Sequence, residues 1–282
     1  MILEPGALYV VATPIGNLGD MSQRAIEVLQ NVELIAAEDT RHSKALLNHF
    51  QIQTRCIAVH EHNERKASPA ILEKLQQGQN IALISDAGTP LLSDPGFFLV
   101  REAIYKGIKI IPIPGPSAVI AALSAAGLPT DRFHFEGFLP SKTHARTQKL
   151  ESLITESATL IFYEAPHRII DTLVDMQSVF GGQREIVLAR EISKTFETFL
   201  RGSIDTVLGA ASADKNQQKG EMVILLHGAE PKDKNELNDE AIRVLGILLK
   251  NHSVKEASAL ASEITGVKKN RLYDFAIKHR EK

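Results

Sequence analysis

One cysteine in 282 residues, Cys56, excludes a disulfide within the chain. It stands in the apolar run Cys56-Ile57-Ala58-Val59, where a core thiol is the expected role. Net charge is nearly absent as well: 32 basic residues against 34 acidic ones leave -2, so there is no global cationic field. Any nucleic-acid contact must then be local, made by the few Lys and Arg that reach phosphate. Long apolar runs are missing, since no segment approaches the ~20 residues that a membrane helix needs. The start, Met1-Ile2-Leu3-Glu4-Pro5, lacks a basic region followed by an apolar stretch. These absences point to a cytoplasmic protein with no membrane partner. Its length is a prior for one large or two medium domains.

What is present is alternation. β-like runs at 7–13, 32–37, 56–60, 81–85, 108–113, 133–137, 158–163, 184–190 and 221–227 are separated by helical stretches near 22–30, 42–50, 68–77, 96–106, 117–126, 142–154, 167–179 and 204–212. This order predicts an α/β protein with mainly parallel pairing. Pro112-Ile113-Pro114-Gly115-Pro116 makes a stiff crossover, because proline fixes its own φ and biases the residue before it to extended conformations. A domain boundary is expected there, giving domains 1–114 and 115–232. After Pro231-Lys232-Asp233-Lys234-Asn235 the strands stop, and 236–282 reads as a separate helical appendage. In it, Ser253-Val254-Lys255-Glu256 has capping-box spacing and Gly266 makes a helix-turn-helix-like turn. From Lys268 to Lys282 six basic residues, Lys268, Lys269 and Arg271 among them, face two acidic ones. A solvated charged face and a phosphate-contacting helix both fit that pattern.

Two turns rich in Gly, Pro and Asp follow apolar runs directly. Ala12-Thr13-Pro14-Ile15-Gly16-Asn17-Leu18-Gly19-Asp20 follows Leu8-Tyr9-Val10-Val11, and the Ser85-to-Gly96 loop follows Ile81-Ala82-Leu83-Ile84. In α/β sheets ligands sit outside the carboxyl ends of strands, so these loops predict a small-molecule pocket. The aspartates of the second loop either brace the turn or face a ligand. Pro114-Gly115-Pro116-Ser117-Ala118 precedes a helix of small residues; Ser117 is a helix cap or the edge of an anion-accepting helix end. Polar clusters at Glu38-Asp39-Thr40-Arg41-His42, His60-Glu61-His62-Asn63-Glu64, Tyr163-to-Arg168 and Glu191-to-Glu197 fall at the ends of apolar runs. They lack the spacing of a His-Glu-x-x-His metal helix, so no metal is expected. There is no Gly-x-Ser-x-Gly elbow for a hydrolase.

Taken in order, these motifs, with Ala36-Ala37-Glu38-Asp39-Thr40-Arg41-His42, Ser85-Asp86-Ala87-Gly88-Thr89-Pro90, Phe162-Tyr163-Glu164-Ala165-Pro166-His167-Arg168 and Lys194-Thr195-Phe196-Glu197, resemble the ribosomal RNA small subunit methyltransferase I family. This is the ribose-methylating branch of the tetrapyrrole methylase superfamily, and the resemblance covers roughly residues 7–228. It implies two α/β/α domains with S-adenosylmethionine in the cleft between them, a homodimer, and small-subunit ribosomal RNA as partner. It further implies that Asp86, Ala87, Gly88 and Thr89 line the methionine part of the cofactor, with Ser117 and Ala118 approaching it. Phe162 and Tyr163 match the strand end covering the cofactor, and Met222-Val223 the segment facing adenine. The first loop departs from the superfamily's Gly-x-Gly-x-Gly and is read instead as shaping the acceptor pocket, with Pro14 and Asn17 as substrate contacts.

Methyl transfer to a ribose hydroxyl is an in-line displacement helped by a proton acceptor and by a cation near the developing charge. Glu38, Asp39 and Glu61 are the candidate acceptors, Arg41 and Lys194 the candidate cations. His42 and His62 are candidate substrate contacts able to serve as base when neutral. Three functions stay open on this reading: an RNA ribose methyltransferase acting on a cytidine in the decoding region of the assembled small subunit, a tetrapyrrole or other small-molecule methyltransferase, and a non-catalytic ribosome-binding factor.

Overall fold

A computed structural model describes residues 3–230, 237 and 239–280, with the backbone alone at Arg280. The break expected at 231–235, the boundary residue 232, the first appendage residue 236, the starting Met1-Ile2 and the terminal Glu281 and Lys282 lie outside the described residues. The chain divides into two compact units, Met1–Ala229 and Glu230–Lys282.

The first unit holds two five-stranded sheets. One is built from β1 (Leu8–Val11), β2 (Leu34–Ala37), β3 (Cys56–Ala58), β4 (Ile81–Ile84) and β5 (Ile110–Ile113), in the order β3-β2-β4-β1-β5. Every pair in it is parallel. Helices α1 (Gln23–Asn31), α2 (Thr40–His49), α3 (Glu64–Gln76) and α4 (Phe97–Tyr105) supply the crossovers. Alternation along the strands loads both faces. Tyr9, Val11, Ile35 and Ile84 pack with Val28, Leu29 and Leu47, whereas Leu8, Ile81 and Leu83 pack with Ile71, Leu75 and Leu99. A sheet buried on both faces reads as continuous apolar runs, which is why its strands are visible in the sequence.

The second sheet combines β6 (Phe133–Phe138), β7 (Thr159–Glu164), β8 (Glu185–Arg190), β9 (Thr198–Ser203) and β10 (Met222–Leu226), ordered β6-β7-β10-β8-β9. Here the expectation of mainly parallel pairing needs correction. β6 and β7 are parallel, but β10 runs antiparallel between β7 and β8, and β9 returns antiparallel along β8. β9 has no counterpart among the expected strands, because Thr198-Phe199-Leu200-Arg201-Gly202-Ser203 is an edge strand only partly buried. Helix α5 (Ala118–Ala126) covers one face through Val119, Ala122 and Leu123. α6 (Thr143–Glu151), α7 (Ile169–Phe180) and α8 (Ile204–Ala213) cover the other.

The second unit contains α9 (Asp239–Leu248), α10 (Val254–Thr265) and α11 (Lys269–Arg280) around Ala241, Leu245, Ala257, Ala261 and Leu272. Both halves of the capping box form at Ser253 and Glu256, and Gly266 ends α10 in the left-handed region at φ 73°.

α6 is fixed to α7 by a buried ion pair, Arg146 Nε to Asp175 Oδ2 at 2.6 Å. The guanidinium also donates to the Ser141 carbonyl and Thr143 Oγ1. Removing one partner of such a pair strands a buried charge. Asp175→Ala should therefore cost about 3 kcal/mol in urea unfolding, and combining Arg146→Met with Asp175→Leu should recover most of it.

Candidate functional site

The loops after β1 and β4 are joined by two reciprocal backbone bonds, Thr13 N–H to the Gly88 carbonyl (2.9 Å) and Gly88 N–H to the Thr13 carbonyl (3.0 Å). Gly88 is required here: its φ is +80°, and a Cβ would meet Ile15 Cγ2 at 3.3 Å. Thr89 Oγ1 donates to the Pro116 carbonyl at 3.0 Å, tying the same loop to the crossover that enters α5. Leu91 and Ser93, further along this loop, hold positive φ values of 74° and 68°. Such strained residues cluster where the surroundings over-determine the backbone, as at ligand sites.

These loops form one wall of a cavity of about 340 Å³, a size typical of small-ligand sites. Ala87, Gly88 and Thr89 line it from the first sheet, Ser117 and Ala118 from the start of α5, and Tyr163, Met222 and Val223 from the second sheet. The antiparallel insertion of β10 makes this possible, because Met222 pairs with both Glu164 and Arg190 and so begins at the edge where β7 and β8 end. Ser117 has extended φ and ψ and occupies the N-cap position of α5, yet its hydroxyl caps nothing. Its buried Oγ has no hydrogen-bond partner among the described residues. Burying an unpaired hydroxyl is costly, so this atom is suited to a ligand. Two of the expected residues do not line this cavity: Asp86, whose carboxylate accepts from the Asp39 N–H, and Phe162. The Phe162 side chain is fully buried with Leu173 and Met176 on the opposite face, because neighbours on a strand point to opposite sides and Tyr163 takes the cavity side.

A second cavity of about 520 Å³ lies against the first. Pro14, Gly16 and Leu18 of the first loop line it, with Arg41, His42, Asp86 and Lys194. Ile15, Ala87 and Glu221 line both cavities. Lys194 Nζ donates to Glu191 (2.8 Å) and Glu221 (3.0 Å). Burial works to lower the Lys194 pKa, but the bonds to these two carboxylates outweigh it and hold the ammonium above its ordinary value. Its aliphatic stem crosses Gly16 so closely that a Cβ there would fall 2.4 Å from Cγ. Ser193 Oγ also bonds Asp20, so the β8–β9 connection is strapped to the first loop twice.

Other expected residues are differently employed. Asp39 caps α2 through Arg41 N–H (2.8 Å) and pairs with the exposed Arg41 guanidinium. That hydrogen bonding depresses the Asp39 pKa to about 2. Glu38 accepts from Asp86 N–H at 3.3 Å, and burial, with Asp86 nearby, raises its pKa. Asn17 Oδ1 accepts from Gly19 N–H, serving its own turn. Glu61 and His62 are exposed and line neither cavity. In their cluster Asn63 caps the His60 turn, and Glu64 accepts from Leu99 N–H. Glu164, buried at the end of β7, is taken up by Arg168 and Thr172. Lys268, Lys269 and Arg271 are exposed around the start of α11, in the second unit.

Asp94, left open from sequence between bracing its turn and facing a ligand, lines the first cavity, as do Ile192 of the Glu191-to-Glu197 cluster and two residues not singled out from sequence, Phe138 and Glu221. Asp94 and Glu221 carry a usable signal, the first inside the Gly/Pro/Asp loop and the second directly before Met222. Phe138 comes into place through a bulge between Phe135 and Gly137, and its ring lies 5.5 Å from that of Tyr163.

Comparison with known proteins agrees with this geometry. Residues 7–208 match the family model of tetrapyrrole (corrin/porphyrin) methylases, and 235–280 match the RsmI C-terminal HTH domain. A protein of Pseudomonas aeruginosa named ribosomal RNA small subunit methyltransferase I is 54% identical, over 99% of this chain and 100% of its own length. Its namesake from Escherichia coli O157:H7 is 52% identical over 98% of this chain and 96% of its own. Among solved structures, uroporphyrin-III-C-methyltransferase from Thermus thermophilus superposes with a TM-score of 0.55 at 17% identity, covering 79% of this chain and 94% of that one. That likeness is one of fold.

Asp94 gives the cavity a measurable signature. Burial pushes its carboxyl up to about 6; the Ser85 hydroxyl opposes this, and Glu38 and Asp86 add to it. A carboxyl raised above its unfolded value stabilises the fold below about pH 4 and loses that contribution as pH rises through about 6. Asp94→Asn should consequently raise stability at pH 8 by about 1 kcal/mol, discounted for partial exposure, and change it little at pH 4. Urea unfolding at the two pH values measures the difference.

Proposed function

The chain belongs to the tetrapyrrole methylases and, among them, to the ribosomal RNA small subunit methyltransferase I family, and on that premise we propose that it methylates small-subunit ribosomal RNA with S-adenosylmethionine. The acceptor in this reading is the ribose 2′-hydroxyl of a cytidine in the decoding region, presented by the assembled subunit in the cytoplasm. The observation that carries the proposal is the adjacency of two cavities with a shared wall, the first lined by Ser117, Tyr163 and Val223 and the second by Arg41, His42 and Lys194.

The first cavity fits the donor: it offers an unpartnered Ser117 hydroxyl, the close backbone of Gly88, and the rings of Phe138 and Tyr163. When bound, S-adenosylmethionine supplies an electrophilic methyl group on a cationic sulfur. Ala87, Gly88, Thr89, Ser117 and Ala118 would hold its methionine part, with Tyr163, Met222 and Val223 around adenine. Asp86, on the other side of the shared wall, holds the Asp39 N–H at 3.1 Å and so orders the acceptor side. Pro14 and His42 would contact the ribose and its neighbours, and Lys194 would orient the Glu221 carboxylate beside them. Lys268, Lys269 and Arg271 of the helical unit would supply local phosphate contacts, which a chain of net charge -2 needs. A homodimer is the proposed assembly; Phe97, Ile104 and Tyr105, between 59% and 70% exposed on one helix, are the apolar surface a second copy would cover.

The reading against a tetrapyrrole acceptor rests on the first loop, whose Pro14, Gly16 and Leu18 shape the wall of the second cavity. Specific RNA recognition favours splayed nucleotides, so a shaped target should matter more than charge. Labelled methyl transfer should run much faster on assembled small subunits than on protein-free rRNA, and nucleoside analysis should yield 2′-O-methylcytidine. A base-methylated product, or faster turnover on the naked RNA, would overturn this acceptor. Removing residues 236–282 should leave S-adenosylmethionine affinity near normal and weaken subunit binding, with a reduced salt dependence. Equal subunit affinity across a salt titration would make the helical unit a stabilising element instead.

A further inference from the structure

We infer that Glu221 is a catalytic residue of the methyl transfer proposed above, its carboxylate accepting the proton of the acceptor hydroxyl where the two cavities meet. The inference rests on that reading of the cavities as donor and acceptor sites. In-line displacement puts the attacking oxygen and the methyl carbon about 3–3.5 Å apart on one line. With donor and acceptor in separate cavities, the line must pass the wall they share, which consists of Ile15, Ala87 and Glu221. Of these three, Glu221 alone carries a proton-accepting group.

The carboxylates named from sequence are less well placed. Glu38 is engaged with the Asp86 amide, Asp39 caps a helix and pairs with Arg41, and Glu61 lines neither cavity. Asp94 lines the donor cavity but not the acceptor cavity. Glu221, by contrast, is both aimed and reachable. Its Oε2 accepts from Lys194 Nζ at 3.0 Å, while its side chain stays 74% exposed. Glu191 steadies the arrangement by accepting from Lys194 Nζ (2.8 Å) and from the Glu221 N–H (2.9 Å) through one oxygen. The backbone of Glu191 is held at φ 53° to do so.

An ordinary carboxylate is too weak a base to ionise a ribose hydroxyl in advance. It does not need to. As the oxygen's lone pair forms the bond to carbon, the carbon–sulfur bond breaks and leaves its electron pair on a neutral thioether. The oxygen gains positive charge, the O–H becomes strongly acidic, and its proton passes to Glu221 and then to solvent. Lys194, bonded to the same carboxylate, keeps it oriented and limits the charge at the junction.

The test is Glu221→Gln in the full-length protein, with Glu221→Asp beside it. An exposed ion pair contributes little to folding, so both variants should retain wild-type thermal unfolding. S-adenosylhomocysteine, which lacks the cationic sulfur, should bind Glu221→Gln within about twofold of wild type by calorimetry, whereas S-adenosylmethionine should bind roughly threefold to fivefold more weakly. Single-turnover methyl transfer to small subunits should fall about 100-fold in Glu221→Gln and recover in part in Glu221→Asp. Transfer within about twofold of wild type, or equal losses of affinity for both ligands, would overturn the role. Failure of the wild-type protein to bind either ligand would instead remove the underlying reading of the cavities.

Discussion

The paired hydrogen bonds between Thr13 and Gly88 are the constraint on which the site depends. They clamp the loops leaving β1 and β4, two neighbouring parallel strands whose carboxyl ends would otherwise diverge into separate connections. The clamp works because position 88 tolerates positive φ and has little room for a side chain. With the loops joined, Ile15 and Ala87 become a common wall, and the space over the sheet edge is divided into two cavities. The Thr89 bond to Pro116 then extends the clamp to the entrance of α5, so the second half of the unit is registered against the first by the same few residues.

On the other side of the cleft the decisive feature is strand order. A parallel sheet would send the start of β10 to the edge away from the cavities. Inserted antiparallel between β7 and β8, it delivers Glu221, Met222 and Val223 to the edge where Glu164 and Arg190 end their strands. Arg190 then ties down the β8–β9 connection by donating to the Phe196 carbonyl and Thr198 Oγ1. The loop carrying Glu191, Ser193 and Lys194 is thereby held over the first loop rather than left to solvent, and the polar residues of the junction gain fixed partners.

Much of the lining of the first cavity was legible because it is made of loop backbone and of strand ends, and both leave marks in sequence. Gly88, Thr89, Ser117 and Ala118 sit in punctuated stretches next to apolar runs, and Tyr163 and Met222 bound such runs directly. The polar residues were less legible. Glu61 and His62 stand at the end of an edge strand, where the sheet edge extends past the cavities, and Asp39 does the work of a helix cap. Phe162 and Tyr163 were indistinguishable as neighbours until the phase of β7 was set by packing against α5 and α7. Glu221, meanwhile, is marked in the sequence only by its place directly before Met222, and its position beside both cavities depends on tertiary packing.

Local information thus sufficed for the α/β alternation, the helical ending with its capping box and Gly266 turn, and the positions of the loops that line the cavities. These follow from burial periodicity, capping chemistry and backbone freedom, which act over a few residues. The antiparallel course of β10, the partition of the cleft into two cavities, and the meeting of Ile15, Ala87 and Glu221 at their boundary depend on groups far apart in the chain. Their proximity is set by which strand edges pair and which faces the helices cover, and that choice minimises exposed apolar surface and unpaired backbone over the whole unit rather than over any one segment.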